Sequence, residues 1–259
     1  MRQLFSMTIA ACMLAATGIS SAADLRVSAP VAPPLPPAWT GCYVGLNAGG
    51  VWARMRDNWS HAARPPDIPP VLLAVASGTI DASGFVGGGQ LGCNQQINAA
   101  VFGVEADLQY THLDASRRVF WPGDANSAAV NFHEDFRSRW LATFRGRAGW
   151  LMNPDLLLYA TGGLAVARIK TFDSIVAVAD PNDFVRTSGS STRVGWTVGG
   201  GAEWAFAPRW SVKAEYLYVN LGTFNTIGID PNFPTTPFLR HSHHLTEQIA
   251  RVGVNYRFH

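Results

Sequence analysis

Hydrophobic and polar residues alternate along eight segments of the chain, the first beginning at residue 41 and the last ending at residue 258. This two-residue period is typical of β-strands, in which neighbouring side chains point to opposite faces. Each segment is long enough to cross a membrane as a tilted strand, which takes about 9 to 11 residues. The predicted strands are 41–52, 80–96, 101–111, 139–150, 156–170, 193–205, 210–219 and 245–258.

The connections between the predicted strands alternate strictly between short and long. The short ones are 97–100, 151–155 and 206–209, and the long polar ones are 53–79, 112–138, 171–192 and 220–244. Outer-membrane barrels have short periplasmic turns and long extracellular loops, whereas a soluble sandwich has no reason to alternate in this way. The chain is therefore predicted to be all-β: an eight-stranded antiparallel up-and-down transmembrane β-barrel.

Most of the predicted strands have one apolar parity and one charged parity. Trp140 and Trp150 stand at the two ends of the apolar parity of strand 139–150, and Arg145 and Arg147 belong to the other. A soluble barrel would turn the apolar parity inward, whereas a membrane barrel turns it to lipid with aromatic residues at both interfaces. The aromatic ends favour the membrane barrel. The predicted girdle residues are Trp140, Trp150, Trp196, Trp204, Trp210, Tyr218, Tyr256 and Phe258.

The charged parity then fills the inside of the barrel, which at eight strands is just wide enough for side chains. Buried charges need partners, and five acidic residues match five basic ones here. The acids of strand 101–111 can face the bases of strand 139–150, and Glu215 can reach Arg251 or Arg257. We predict a salt-bridged plug instead of a wide channel. The network comprises Glu105, Asp107, Arg145, Arg147, Glu203, Lys213, Glu215, Glu247, Arg251 and Arg257.

The N-terminus is typical of an exported protein. Residues 1–23 combine Arg2, an apolar core and small residues before the cut, as in a signal peptide. The short stretch before Cys12 favours this over a lipoprotein signal. Residues 24–38 form a proline-rich periplasmic linker, and residues 39–259 form the barrel. After residue 23 no apolar run approaches the roughly 18 residues of a membrane helix.

Charge and cysteine content narrow the function. Charged residues make up 15% of the chain, and loss of Arg2 leaves 19 basic against 18 acidic residues, a net charge of +1. No broad basic surface for nucleic acid is therefore expected. Cys42 and Cys93 remain in the exported chain near the same periplasmic end, which allows either a cross-strand disulfide or two free thiols.

Histidines in the fourth long connection provide a weak metal candidate. His241, His243 and His244 could bind Zn²⁺ or Cu²⁺ or touch haem, but a polar loop with chance histidines is the favoured interpretation. Residues 133–135, His-Glu-Asp, offer a weaker site of the same kind. No cofactor is expected, and no catalytic set of Ser, His and acid stands out.

Several stretches resemble the alphaproteobacterial outer-membrane β-barrel family that includes the 25- and 31-kilodalton major surface proteins of Brucella, which are similar to the OmpA barrel. The resemblance lies in AWTGCYVGLNAG at 38–49, GFVGGGQLG at 84–92, VFGVEADLQ at 101–109, ATGGLA at 160–165 and VGVNYRF at 252–258. It implies an abundant, sometimes porin-like envelope protein. One departure is His259, since the assembly signal of such barrels usually ends in an aromatic residue.

These observations predict a structural, surface-exposed protein of the outer membrane that supports envelope integrity and makes surface contacts. The alternative is a small porin-like channel for ions or solutes; an enzyme that modifies lipid is disfavoured. The expected partners are outer-membrane lipids and lipopolysaccharide, the barrel assembly machinery and surface ligands that touch the loops.

Overall fold

The computed structural model describes residues 39–61, 70–124, 128–179, 184–229 and 237–258. The expected signal peptide and linker lie outside these residues. The elements are β1 (Gly41–His61), α1 (Pro70–Ala76), β2 (Gly78–Ile97), β3 (Ala100–Trp121), β4 (Val130–Asn153), β5 (Leu156–Ala177), β6 (Phe184–Ala207), β7 (Trp210–Ile229) and β8 (Pro237–Phe258). Within the described residues, no helix has the length and hydrophobicity to cross a membrane.

The eight strands form a closed antiparallel barrel in sequence order, and β1 pairs with β8 to complete it. Two-residue turns join β2 to β3, β4 to β5 and β6 to β7, and Asn98 adopts a positive φ of 55° in the first of them. Asparagine tolerates this left-handed conformation better than most residues. The predicted fold class and the three periplasmic turns are confirmed.

At the opposite end the strands extend further than the pattern predicts. β1 continues from Trp52 to His61, and β3 continues through residues 112–121, all within segments that we expected to be loops. These segments are polar because their outer face lies beyond the lipid and meets water. The strands stay paired there, but they have no apolar parity that faces lipid.

The change of environment is visible along β1. In its first half Val44 and Leu46 are exposed on the outside while Asn47 is buried inside. Beyond Trp52 the polarity is inverted, because Met55 is buried and Arg54 is exposed. An apolar outer face suits lipid, and a charged outer face suits water. The membrane-spanning segment of the barrel therefore ends near Trp52.

Aromatic side chains mark the two ends of this segment. The structure places all eight predicted girdle residues on the outer face, and five of them are 45–60% exposed. Trp150 lies beside Ala100 at the end with the tight turns, and Trp140 lies beside Tyr110 at the other end. Their anchoring at the lipid interfaces stays a prediction.

Close strand packing makes one glycine of β5 sensitive to substitution. A Cβ on the inward-facing Gly163 would collide with the carbonyl oxygen of Phe144 and lie 2.7 Å from the Cα of Arg145. We expect Gly163→Ala to lower the free energy of unfolding by about 1–3 kcal/mol, as overpacking does elsewhere. Urea unfolding in phospholipid vesicles, followed by tryptophan fluorescence, measures the loss.

The adjacent Gly162 provides the matched control for this substitution. Its Cβ would face outward, 3.5 Å from the carbonyl oxygen of Thr197, which is ordinary van der Waals contact. Gly162→Ala should therefore keep the wild-type midpoint. Equal losses at the two positions would show that backbone flexibility matters here and that the collision does not.

Candidate functional site

The inside of the barrel consists of stacked polar and apolar layers. Inward side chains near the start of the barrel sample them in order from the periplasmic end: Trp39, Tyr43, Val51, Asp57 and Trp59, all buried. The first is a base layer, which is apolar and lies at the periplasmic end. It is followed by an ion-pair layer, an apolar layer, a histidine–carboxylate layer and an apolar cap.

The ion-pair layer is centred on Arg145, which is fully buried. Its guanidinium contacts Glu105, lies 2.8 Å from Asp107 and reaches 2.9 Å from Glu215 on the opposite wall. One cation therefore joins β3 and β4 to β7 across the lumen. Charge-assisted hydrogen bonds of this kind are stronger than neutral ones.

The other bases complete the ion-pair layer. Lys213 lies 2.8 Å from Glu105, and Arg147 lies 2.8 Å from Glu203. Arg251 contacts Glu215, as the predicted pairing of β7 with β8 requires, and also lies 3.0 Å from Asp107. The layer comprises Tyr43, Glu105, Asp107, Arg145, Arg147, Glu203, Lys213, Glu215 and Arg251.

Two members of the predicted network lie elsewhere. Glu247 is buried four residues above Arg251 on β8, beside Ala53 and Val219, and among the described residues neither of its carboxylate oxygens has a hydrogen-bond partner. Equal parity was the reason to include Glu247, but parity does not specify height along the barrel axis. Arg257 lies near the periplasmic end, where its guanidinium stacks 4.5 Å above the ring of Trp39.

Apolar side chains lie on both sides of the ion-pair layer. The base layer at the periplasmic end comprises Trp39, Val101, Leu157, Tyr159 and Ala205. Towards the outside, the apolar layer is a larger cluster to which, among the described residues, every strand except β6 contributes. Its larger members include Val51, Met55, Ile80, Val86, Leu113, Phe136, Leu141, Ile169, Leu217, Leu221, Phe224, Leu245 and Ile249.

The two cysteines lie on the lipid-facing side of the periplasmic end. Cys42 of β1 and Cys93 of β2 are direct cross-strand partners, and the structure joins their sulfurs at 2.08 Å. Of the two arrangements that the sequence allowed, the structure adopts the disulfide.

The histidine–carboxylate layer lies above the apolar layer, beyond the membrane-spanning segment. His241 and His243 of β8 point inward, with His243 Nδ1 2.6 Å and His241 Nε2 3.7 Å from Oδ1 of Asp57. Asp173 Oδ2 lies 3.2 Å from His241 Nδ1, and Glu134 Oε1 lies 3.7 Å from His241 Nε2. All five side chains are buried.

Only some of the residues that the sequence offered as metal ligands face the lumen. His244 faces outward and contacts Thr223 at 3.0 Å, so it leaves the predicted histidine triple. In the His-Glu-Asp stretch, His133 and Asp135 pair with each other on the outer side, and Glu134 alone faces the lumen. The i, i+2 spacing of the inward histidines shows that they share a strand face, but no sequence signal connects them to Asp57.

Burial governs the protonation of this layer. It raises the pKa of Glu134 and that of Asp173 to about 7 each, because the charged carboxylates lose water. Burial and the neighbouring His243 together lower the pKa of His241 to about 2. His241 is therefore a neutral imidazole at neutral pH.

An apolar cap covers the histidine–carboxylate layer. It comprises Trp59, Leu73, Ala76, Phe132 and Ile175, of which Leu73 and Ala76 belong to α1. The indole N–H of Trp59 donates to Glu134 at 2.8 Å, and Arg117 donates to the carbonyl of Ala76 at 2.7 Å. The bond from Arg117 of β3 ties the end of the short helix to the barrel wall.

Known proteins resemble the chain over most of its length. Residues 9–258 match the family model described as outer membrane protein beta-barrel domain. The 31 kDa outer-membrane immunogenic protein of Brucella melitensis is 34% identical, with 92% of each chain covered. The 25 kDa outer-membrane immunogenic protein of Brucella abortus is 27% identical over the whole of both chains.

A solved structure shares the fold. The outer membrane protein OprG from Pseudomonas aeruginosa superimposes with a TM-score of 0.53 at 10% identity, covering 86% of this chain and 99% of that one. At this identity the likeness concerns the fold alone.

Proposed function

Because the chain belongs to the outer membrane β-barrel family, we propose that it is a structural, surface-exposed barrel whose lumen is closed to solutes. The chain is an outer-membrane protein of the type named for the Brucella immunogenic proteins. The finer assignment is supported by one observation above all: the lumen alternates between apolar and ion-paired layers. We further propose that it has no catalytic role, which the names of its relatives support.

A conducting pore requires a continuous path of water, and two features oppose one. The ion-pair layer is closed by the contacts of Arg145, whose carboxylate partners lie on both sides of the lumen. Above it, Leu141, Leu217 and Ile249 of the apolar layer are 0% exposed, and these side chains offer water no hydrogen bonds. An ion would need to lose its hydration there.

We expect the folded wild-type protein to be electrically silent in a planar lipid bilayer. The triple variant Leu141→Ser/Leu217→Ser/Ile249→Ser should stay silent as well, because the contacts of Arg145 still close the ion-pair layer. The compact electrophoretic mobility of unheated samples verifies folding, and detergent alone provides the blank. Steady, reproducible openings from the wild-type protein would overturn the closed-lumen proposal in favour of the small porin-like channel.

Surface contacts form the other half of the proposal. Strand ends with charged outer faces, such as Arg54 beside Asp81 and Arg137 beside Asp114, extend beyond the girdle. We propose that they lie among lipopolysaccharide head groups, whose phosphates and sugars suit such residues, and that the assembly machinery inserts the barrel. We also propose that the loops between these strand ends bind ligands at the cell surface.

A further inference from the structure

We infer that Asp57, His241 and His243 bind one divalent transition-metal ion of the zinc class inside the extracellular half of the barrel. Ligand atoms from the three side chains lie within 4.8 Å of one another, and all three are buried. Two imidazoles and a carboxylate suit borderline-soft ions such as Zn²⁺ over Mg²⁺ or Ca²⁺, which prefer all-oxygen sites. This site is independent of whether the lumen conducts.

Unpartnered atoms at the centre of the cluster point to a ligand. Among the described residues, Nε2 of His241 and Oδ2 of Asp57 are buried without any hydrogen-bond partner. Buried polar atoms in native proteins are nearly always satisfied, so two such atoms in one cluster need an explanation. A metal ion between them would satisfy both.

The surroundings of His241 favour metal binding by Nε2. Its Nδ1 lies 3.2 Å from Oδ2 of Asp173; when Asp173 is ionised, this nitrogen carries the proton and donates to the carboxylate. The lone pair of Nε2 then faces Asp57. A carboxylate behind a histidine is the usual outer-shell partner of a metal ligand, because it fixes the tautomer and the ring orientation.

The distances are close to those of a tetrahedral zinc site. Ligand atoms about 2.0–2.1 Å from Zn²⁺ stand roughly 3.3 Å apart in that geometry. His241 Nε2 lies 3.7 Å from Asp57 Oδ1, and His243 Nδ1 lies 2.6 Å from the same oxygen. A shift of less than about 1 Å in each distance would therefore accommodate the ion.

Both histidine rings are fixed by aromatic stacking. Trp59 stacks on His241 with centroids 3.9 Å apart, and Phe224 stacks on His243 at 4.8 Å. Because Asp57 lies on β1 and the histidines on β8, the ion would also cross-link the two strands that close the barrel. Zinc binding should therefore raise the thermal unfolding temperature.

The test is a zinc titration of the full exported chain, extracted from outer membranes in detergent and stripped with EDTA. In competition with a chromophoric chelator, we expect one Zn²⁺ per wild-type chain. His243→Gln and Asp57→Asn should each weaken binding by at least about 100-fold, and the outer-shell variant Asp173→Asn by about 10- to 100-fold. Co²⁺ should give visible d–d absorption that excess Zn²⁺ abolishes.

His244→Gln is the matched control, because His244 is the neighbour of His243 on the same strand and faces outward. It should bind zinc as the wild type does and show the same zinc-dependent rise in unfolding temperature. Absence of stoichiometric zinc in the wild type would overturn the site. So would wild-type affinity in a folded His241→Gln/His243→Gln variant, or equal losses in His244→Gln and His243→Gln.

Discussion

Replacing Arg145 by methionine is expected to lower the free energy of unfolding by roughly 3–5 kcal/mol, the cost of removing one partner from a buried ion pair. Arg145 contacts Glu105, Asp107 and Glu215, and none of these side chains has appreciable access to water. Without the guanidinium, three carboxylates share the remaining cations. Their mutual repulsion and lost hydration then act against the folded barrel.

Equilibrium urea unfolding in phospholipid vesicles provides the measurement for Arg145→Met. Arg54→Met is the matched control, since Arg54 also pairs with an aspartate, Asp81, but with its side chain 58% exposed to solvent. Exposed ion pairs contribute little because water screens them. An unchanged midpoint for Arg145→Met would mean that protons or water replace the guanidinium and that the ion-pair layer is dispensable for stability.

Removal of the disulfide should have the second-largest effect. Cys42 and Cys93 close a loop with a sequence separation of 51, and a cross-link of that length restricts the unfolded chain by about 2–4 kcal/mol in typical proteins. We expect Cys42→Ser/Cys93→Ser to lose this amount in the same urea experiment. The pairing of β1 with β2 should survive, because its register runs from Gly41–Asn94 to Asp57–Gly78, far beyond the bond.

Reductant distinguishes the loss of the bond from the cost of the serines. Dithiothreitol should lower the midpoint of the wild type to that of the double variant and leave the variant unchanged. Insensitivity of the wild type to reductant, together with free thiols by alkylation, would establish the alternative of two unbonded cysteines.

Strand number and order could be predicted from the sequence because most membrane-spanning strands display one apolar parity. Turns of two residues also leave little freedom in how neighbouring strands pair. The outer ends of the strands were not predicted, because the apolar parity does not continue into them. Just beyond Trp52, Met55 faces inward and Arg54 faces outward, so the apolar parity that identifies a lipid-facing strand ends there.

In the candidate sites, only contacts between strands of one hairpin could be predicted from the sequence. Glu105 and Arg145 are register partners on adjacent strands, and parity was sufficient to associate them. Arg145 and Glu215 meet across the lumen at a sequence separation of 70, and Asp57 and His243 meet at a separation of 186. Such contacts depend on barrel closure and on the tilt of the strands, which a one-dimensional pattern does not contain.

The outward extension of the strands has a consequence for what can touch the cell. From Trp52 to His61, β1 rises by about 3.3 Å per residue at a tilt of about 40°, which gives a projection of roughly 23 Å above the bilayer. An antibody or a bacteriophage would therefore meet paired strands that project from the lipid. Epitopes at the ends of these strands would lie at a fixed height above the membrane surface.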